Sequence, residues 1–296
     1  MEYQVLGKSQ LKISRIGFGT MSLELNNQMS EILLHRAFDE GINYFDTADM
    51  YQNGLNETFL GQALSSRRKS LILATKVGNQ WREDGSGWDW NPSKKYILSA
   101  VDLSLKRLQT DYIDLYQLHG GTLEDPIDDI IEAFEYLKAT GKIRAYGISS
   151  IRPNVIREYV KRSSIISVMM QYSLLDRRPE ETMLPFLYEN NVGVLARGTI
   201  AKGLLVSKPV ESYLNYTPEQ VCKISDALKS VSEKSGPFET AVGYVLGHEP
   251  VCSAIIGIRT EDQLKDALAM DSSKLSMDQM RVLGNVLPAN KYIDHR

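Results

Sequence analysis

Short apolar runs alternate with helical segments along nearly the whole chain, and this alternation limits the possible folds more than any other feature. Two short runs, YQVL and LKIS, predict an opening β-hairpin. Eight later runs are typical of buried strands: RIGFGT, INYFDT, SLILATK, YIDLYQLH, IRAYGIS, IISVMMQ, VGVLARG and CSAIIGI. The segments between them carry apolar residues at helical spacing. Eight strands alternating with helices predict a parallel sheet closed into a (β/α)8 TIM barrel, an α/β fold.

Turn residues and length agree with a single barrel domain over residues 1–296. Ser93 and Pro126 are typical of helix starts, and Gly141 is typical of a helix end. No linker, repeat or low-complexity tract divides the sequence, and α/β barrels commonly reach this length as one domain.

An open doubly wound sheet is the rival architecture. That fold is typically marked by GxGxxG at the first strand-to-helix turn, followed by an acidic residue at the end of the next strand. Here the first turn reads GFGTMS, with two of the three glycines, and no acidic residue closes a following short strand at that place. The sequence therefore favours the barrel.

Charge and cysteine content exclude several classes of protein. The formal net charge is -3 and the basic residues are scattered, which argues against binding to nucleic acid or to an anionic membrane. The N-terminus lacks the pattern of a secretion signal, and no apolar run approaches the roughly 18 residues of a membrane span. Cys222 and Cys252 lack CxxC spacing, so we expect packing roles for both, no metal site and a cytoplasmic location.

Polar residues stand where the predicted barrel strands end. Asp46 ends the second run and leads to Tyr51, Lys76 ends the third, and His119 ends the fourth. Each has an ordinary structural explanation, such as a helix cap or a solvated strand end. Because the carboxyl ends of barrel strands form one rim, where barrel active sites lie, we expect these four side chains to lie together in an active site.

These residue types suit proton transfer to an oxygen atom. A free tyrosine, with a pKa of about 10, is a weak acid, and a neighbouring ammonium lowers the pKa of such a phenol. Lys76 would activate Tyr51 in this way, Asp46 would keep the lysine charged, and His119 would orient a carbonyl oxygen or share the proton. Carbonyl reduction by hydride needs such a proton donor. Because no side chain supplies hydride, a nicotinamide cofactor is expected.

Two long loops follow predicted strands. GNQWREDGSGWDWNP contains Trp81, Trp88 and Trp90, and a second loop runs from about Gly198 to Tyr216. Long loops at this end of a barrel are usually functional, although a self-packed surface loop is the alternative. The tryptophans predict a pocket wall for apolar or aromatic carbonyls, and stacking with sugars is equally compatible.

The motifs GFGTM, GINYFDTADMYQNGLNE, LILATKVG, DYIDLYQLH, GKIRAYGISS, LARGTIAKGLL and IIGIRTEDQL, spread over almost the entire chain, resemble the aldo-keto reductases. The resemblance implies a (β/α)8 barrel that binds NADPH without a Rossmann fold. It assigns the family's reductase tetrad to Asp46, Tyr51, Lys76 and His119, with Tyr51 as the general acid.

The resemblance also implies the residues that hold the cofactor. They are Gly19, Thr20, Met21, Ser149, Ser150, Gln171, Arg197, Gly198, Thr199, Ile200, Lys202, Gly203, Gly257, Arg259, Thr260, Gln263 and Asp266. The sequence departs from the family pattern at four of the matching positions. Ser150 replaces an Asn, Met169 occupies the usual Gln position with Gln171 two residues on, Arg197 replaces a stacking aromatic, and Ala267 replaces an Asn.

Within that pattern, the loop from Gly198 to Gly203 would clasp the pyrophosphate. The segment GIRTEDQL would hold the adenosine 2'-phosphate through Arg259, Thr260 and Gln263, because a guanidinium and a hydroxyl at a helix start suit an extra phosphate. We therefore expect NADPH to be preferred over NADH.

The sequence predicts NADPH-dependent reduction of aldehydes or ketones to alcohols. An NADPH-binding redox-sensing or regulatory subunit with little turnover is the alternative. A metal-dependent barrel isomerase is a distant third, because the other histidines fall in helical or terminal segments. The partner is a small carbonyl compound; its identity and the oligomeric state stay open.

Overall fold

The computed structural model describes residues 1–232, 236–270 and 275–296 of the chain. Its strands form a closed barrel and two separate hairpins. In chain order they are β1 (Tyr3–Val5), β2 (Lys12–Ser14), β3 (Ile16–Gly19), β4 (Tyr44–Asp46), β5 (Ile72–Val77), β6 (Asn79–Trp81), β7 (Trp88–Trp90), β8 (Ile113–Leu118), β9 (Ile143–Ser149), β10 (Ser167–Gln171), β11 (Gly193–Arg197) and β12 (Val251–Gly257).

Eight strands, β3, β4, β5, β8, β9, β10, β11 and β12, pair in parallel, and β12 pairs with β3 to close the ring. Each coincides with one of the eight apolar runs. The predicted (β/α)8 barrel is therefore confirmed, and so is the opening hairpin, in which β1 and β2 pair antiparallel.

Successive side chains along each strand point to opposite faces, so they pack into two separate cores. Inward-facing residues such as Tyr44, Leu115 and Met169 fill the barrel with apolar groups, while a larger cluster packs between strands and helices. Residues two apart on a strand face the same side. Asp46 and Gln171, two positions beyond Tyr44 and Met169, therefore stand above this interior at the carboxyl rim.

Helices form the outer layer of the barrel. They are α1 (Gln28–Asp39), α2 (Leu55–Leu64), α3 (Lys94–Arg107), α4 (Ile127–Ala139), α5 (Pro153–Arg162), α6 (Met183–Glu189), α7 (Pro218–Val231), α8 (Pro237–Leu246), α9 (Glu261–Leu268) and α10 (Met277–Gly284). Side chains cap the N-termini of several helices. Ser93 accepts a hydrogen bond from the Tyr96 N–H, and Thr217 forms a capping box with Gln220. No described helix is long and apolar enough to cross a membrane.

The N-terminal hairpin closes the amino end of the barrel. Leu6 and Ile13 are fully buried within the interior cluster, which stabilises the fold by about 1.5–3 kcal/mol for each side chain. Gly7 permits this close approach, because its φ is +54° and a Cβ there would lie 2.2 Å from the Ile166 carbonyl oxygen.

The tryptophan loop after β5 has more structure than the sequence predicts. β6 and β7 pair antiparallel, with Trp81 opposite Trp88. The Trp90 ring packs over Gly78 and Gly120, where a Cβ would meet the ring at 2.5 and 3.2 Å. Its Nε1 donates to Asp125 Oδ1 at 2.9 Å, so the loop is fastened to the segment after β8.

Candidate active site

Lys76 lies at the centre of a buried hydrogen-bonded group at the carboxyl rim. Its Nζ donates to Asp46 Oδ1, to the Thr47 carbonyl oxygen at 2.8 Å and to the Tyr51 hydroxyl at 3.4 Å. The side chain is 1% exposed, so these contacts occur away from bulk water. All three protons of an ammonium thus have acceptors.

Strand register explains this meeting of distant residues. β4 pairs with β5 so that Asp46 lies beside Ala74, and β5 pairs with β8 so that Lys76 lies beside Gln117. Tyr51 begins the 3-10 turn Tyr51–Gly54 immediately after β4. The sequence-predicted rim arrangement of these residues is present in the fold.

Opposing electrostatic effects act on the Lys76–Asp46 pair. Burial alone would lower the pKa of Lys76, but the carboxylate of Asp46 and the phenol of Tyr51 outweigh it, so the pKa of Lys76 is raised. Burial raises the pKa of Asp46, and the Lys76 ammonium opposes that shift. Gln117 Nε2 and the Tyr44 hydroxyl also approach Asp46 Oδ2, at 3.4 and 3.5 Å. The lysine is therefore held as a cation beside Tyr51.

A strained turn holds Tyr51 in place. Gln52 and Asn53 both have left-handed backbone conformations, with φ of 49° and 53°, which cost on the order of 1 kcal/mol or more each. Three hydrogen bonds keep the turn closed: Gln52 Nε2 donates to the Leu23 oxygen, Asn56 Nδ2 to Gln52 Oε1, and Trp81 Nε1 to the Met50 oxygen. The half-buried phenol is thus fixed by its surroundings.

His119 follows β8 and faces Tyr51 edge-on, with ring centroids 5.9 Å apart and an interplanar angle of 79°. Its backbone N–H donates to the Val77 oxygen at 2.7 Å. Burial, with the positive charges of Lys76 and Arg197, lowers the pKa of His119 to about 3. Nδ1 is buried and has no hydrogen-bond partner among the described residues. The imidazole is therefore neutral at physiological pH.

The first loop places the residues predicted to contact the cofactor in different environments. Gly19 pairs with Asp46 and Gly257 across the neighbouring strands, and Met21 is 64% exposed. Thr20 is buried, and its hydroxyl lies 2.9 Å from the backbone carbonyl oxygen of Asp46 and 2.5 Å from Asn56 Oδ1. The Thr20 side chain is thus part of the protein's internal hydrogen bonding.

Across the rim, Gln171 and Arg197 are neighbours in register on β10 and β11. Gln171 Nε2 donates to the Tyr213 hydroxyl at 2.7 Å, and Arg197 Nη1 donates to Gln171 Oε1 at 3.3 Å. Met169 lies below them in the apolar interior. At the end of β9, Ser149 and Ser150 are both buried at the same rim.

The loop after β11 curls tightly. Gly198 and Gly203 have φ of 69° and 97°, and Ala201 and Lys202 also adopt left-handed conformations, with φ of 47° and 57°. Ile200 is half-buried and Lys202 is exposed. Thr199 is buried, and its hydroxyl has no partner in the described part of the chain. This loop offers a cation and an unused hydroxyl beside the rim.

The segment after β12 forms the start of α9. Thr260 is the N-cap and accepts a hydrogen bond from the Gln263 N–H at 3.2 Å, while Gln263 Oε1 accepts from the Arg259 N–H at 2.8 Å. Arg259 and Asp266 are exposed, and Arg259 makes no ion pair with the residues that the structure describes. A helix N-terminus with an unpaired guanidinium is suited to an anion.

Sequence reasoning missed three buried residues that support the site. Gln117 approaches Asp46, Thr47 supplies a carbonyl oxygen to Lys76, and Asn56 Oδ1 accepts hydrogen bonds from both Thr20 and Thr47. The amide at position 117, next to the end of the predicted strand YIDLYQLH, was a usable signal for Gln117. The role of Asn56 depends on tertiary packing and had no sequence signal.

Comparison with known proteins agrees with this geometry. Residues 15–287 match the Aldo/keto reductase family. The oxidoreductase YqkF of Bacillus subtilis (strain 168) is 47% identical, with both chains covered completely. Among solved structures, the holo form of aldo-keto reductase AKR11C1 from Bacillus halodurans has a TM-score of 0.96 at 48% identity, covering 100% of this chain and 99% of that one. The apo form has a TM-score of 0.87 at 45% identity over the same shares. The chain therefore belongs to the aldo/keto reductase family and is an oxidoreductase acting on carbonyl groups.

Proposed function

We propose that the protein reduces aldehydes or ketones to alcohols with NADPH, and that Tyr51 is the general acid. The observation that carries this proposal is the bond from Lys76 Nζ to the Tyr51 hydroxyl, within a pair formed by Lys76 and Asp46. When bound, NADPH supplies the hydride that the protein lacks.

Tyr51 donates its proton to the carbonyl oxygen as negative charge develops there. The Lys76 ammonium beside the phenol stabilises the phenolate that remains, and the Asp46 carboxylate keeps that ammonium charged. Because these groups are fixed before the substrate arrives, little reorganisation is needed during the reaction.

His119 acts as a neutral hydrogen-bonding group that orients the carbonyl oxygen next to Tyr51. An imidazole with a pKa of about 3 does not serve as the proton donor at neutral pH. His119 therefore orients the carbonyl oxygen, and Tyr51 supplies the transferred proton.

Several polar groups at the rim fit a nicotinamide dinucleotide. The Thr199 hydroxyl is buried without a partner, and the left-handed turn around Lys202 presents a cation beside it. Ser149, Ser150 and Gln171 provide polar groups at the rim for the carboxamide, and Arg197 provides a planar guanidinium to stack on a ring. The greater similarity of the chain to a relative's holo form supports the same proposal.

The preference for NADPH rests on the start of α9. Arg259 and Thr260 combine an exposed guanidinium with a hydroxyl at a helix N-terminus, where a 2'-phosphate would be attracted. Gln263 and Asp266 lie on the same helix and would contact the adenosine portion. NADH lacks the phosphate that Arg259 would bind.

Steady-state oxidation of NADPH and of NADH with a panel of aldehydes and ketones tests the proposal. We expect turnover with NADPH on at least one carbonyl class, and a lower kcat/KM with NADH. Binding of NADPH without turnover on any carbonyl would contradict the proposal. The alternative of a regulatory subunit with little turnover is not favoured by the complete Lys76–Tyr51 arrangement.

A further inference from the structure

A second pair of carboxyl groups lies beneath the turn that carries Tyr51. Asp49 is 7% exposed and Glu57 is fully buried, and the two stand close enough for the charge of Glu57 to affect Asp49. The groups around them come from β5, α3 and β8: Thr75, Tyr96, Arg107 and Tyr116. None of these groups is used in the reaction described above.

Glu57 is well compensated in this cluster. Its Oε1 accepts a hydrogen bond from the Thr75 hydroxyl at 2.6 Å, and its Oε2 accepts from Arg107 Nε at 2.6 Å. The ion pair with Arg107 compensates this fully buried carboxyl group. One buried carboxylate is therefore paired with the guanidinium of α3.

Asp49 lacks such compensation. Its Oδ2 accepts a single side-chain hydrogen bond, from the Tyr96 hydroxyl at 3.3 Å, and its Oδ1 is buried with no partner in the described residues. Asp49 makes no ion pair there, and the hydroxyl of Tyr116 is also buried and unpaired. Burying a carboxylate in this way costs far more than burying a neutral acid, so the geometry favours the protonated form.

The electrostatics agree with the geometry. Burial and the charge of Glu57 raise the pKa of Asp49 to about 8, with Arg107, the Tyr96 hydroxyl and the Met50 N–H opposing the shift. The pKa of Tyr116 is raised by burial and by Asp49 and Glu57, so that hydroxyl stays protonated as a neutral neighbour.

Asp49 also connects three parts of the catalytic rim. Its backbone N–H donates to the carbonyl oxygen of Lys76 at 3.2 Å, its carboxyl accepts from Tyr96 on α3, and Tyr51 follows two residues later. The next residues, Gln52 and Asn53, are in left-handed conformations that need support. A shift of Asp49 would thus move the backbone segment that carries Tyr51, two residues further along the chain.

We propose that Asp49, in its uncharged acid form, is a positioning residue that anchors Tyr51 against Lys76, and that ionisation of Asp49 loosens this anchor. The inference rests on the proposed role of Tyr51. While Asp49 is protonated, its Oδ2 accepts the hydrogen bond from Tyr96 and no second negative charge stands near Glu57. Once Asp49 ionises, the two carboxylates repel each other, and the segment that carries Tyr51 is displaced.

A titration by infrared difference spectroscopy tests the protonation state without any substrate. Subtracting the Asp49→Asn spectrum from the wild-type spectrum isolates the Asp49 band from that of Asp46. We expect a carboxylic acid carbonyl band at pH 6 that disappears with a midpoint near pH 8. A difference spectrum showing only carboxylate at pH 6 would overturn the proposal, whatever the enzyme's activity proves to be.

Kinetics test the positioning role. We expect Asp49→Ala to lower kcat at least tenfold at pH 7 with little change in the Kd for NADPH. Asp49→Asn, which keeps the shape of the acid without its charge, should recover most of that loss and move the fall in kcat at high pH upward by about one unit or more. Asp129→Asn, on the exposed face of α4, is the matched control and should keep the wild-type pH profile. An Asp49→Asn profile that superimposes on the wild type would overturn the inference.

Discussion

The Tyr51 hydroxyl lies 3.4 Å from Lys76 Nζ, although the two residues are 25 positions apart and belong to successive strand-to-helix units. The barrel makes this contact possible because β4 and β5 pair in parallel and end at the same rim. A phenol beside an ammonium suits the proposed role of general acid, because the ammonium would stabilise the phenolate left after proton donation.

Replacing Tyr51 with Phe should lower kcat by about 10²–10⁴-fold, because general acid catalysis is lost while the ring remains. We expect NADPH to bind with nearly unchanged Kd, measured by fluorescence titration. Tyr136→Phe, an exposed tyrosine on α4, serves as the control and should retain wild-type turnover. Normal turnover by the Tyr51→Phe variant would exclude Tyr51 as the acid.

Replacing Lys76 with Met should lower the free energy of unfolding by roughly 3–5 kcal/mol, because it leaves the Asp46 carboxylate buried without its cation. The double variant Lys76→Met with Asp46→Asn should recover much of this stability yet remain inactive. Urea denaturation followed by circular dichroism measures both effects. Equal destabilisation of the single and double variants would show that the pair is not coupled.

The low pKa of His119 predicts a dependence of stability on pH. Between about pH 6.5 and pH 3 the unfolded chain binds a proton at this residue and the folded chain does not, so stability falls as the pH decreases. We expect the wild type to lose about 2 kcal/mol more than His119→Gln between pH 7 and pH 5. His35→Gln on α1 is the control, and it should keep the wild-type dependence. Identical slopes for all three proteins would refute the neutral assignment.

Replacing Arg259 with Gln should weaken NADPH binding by about 10–100-fold, corresponding to a lost charged hydrogen bond of roughly 1.5–3 kcal/mol. NADH, which has no 2'-phosphate, should bind with nearly unchanged Kd. Arg36→Gln, at an exposed position of α1, controls for the loss of one positive charge. If both cofactors weaken equally, Arg259 does not recognise the phosphate.

The barrel was predictable because fully buried parallel strands appear as short apolar runs, and each run coincides with an observed strand. The rim arrangement of Asp46, Lys76 and His119 followed from the same rule, since strand ends meet in space. Other features of the fold depend on tertiary packing, which the sequence pattern does not reveal. The β6–β7 hairpin arises in a polar loop without a clear alternation, and it is stabilised by Trp90 packing over two glycines.

The strained backbone of the Tyr51 turn and the hydrogen-bond partners of the polar side chains near it also could not be predicted from the sequence. Asn53 is a residue type that tolerates left-handed backbone, but YQNG does not indicate that Gln52 adopts it as well, because the hydrogen bonds that hold Gln52 involve Leu23 and Asn56. Gln171 stands at the rim above Met169 as predicted from its position on the strand, but its bonds to Tyr213 and Arg197 depend on the path of the loop after β11.

Leu6 and Ile13 close the amino end of the barrel, whose interior is filled with apolar side chains. The cofactor and the substrate of the proposed reaction must therefore both reach the catalytic residues from the carboxyl rim, because the hairpin covers the opposite end of the barrel.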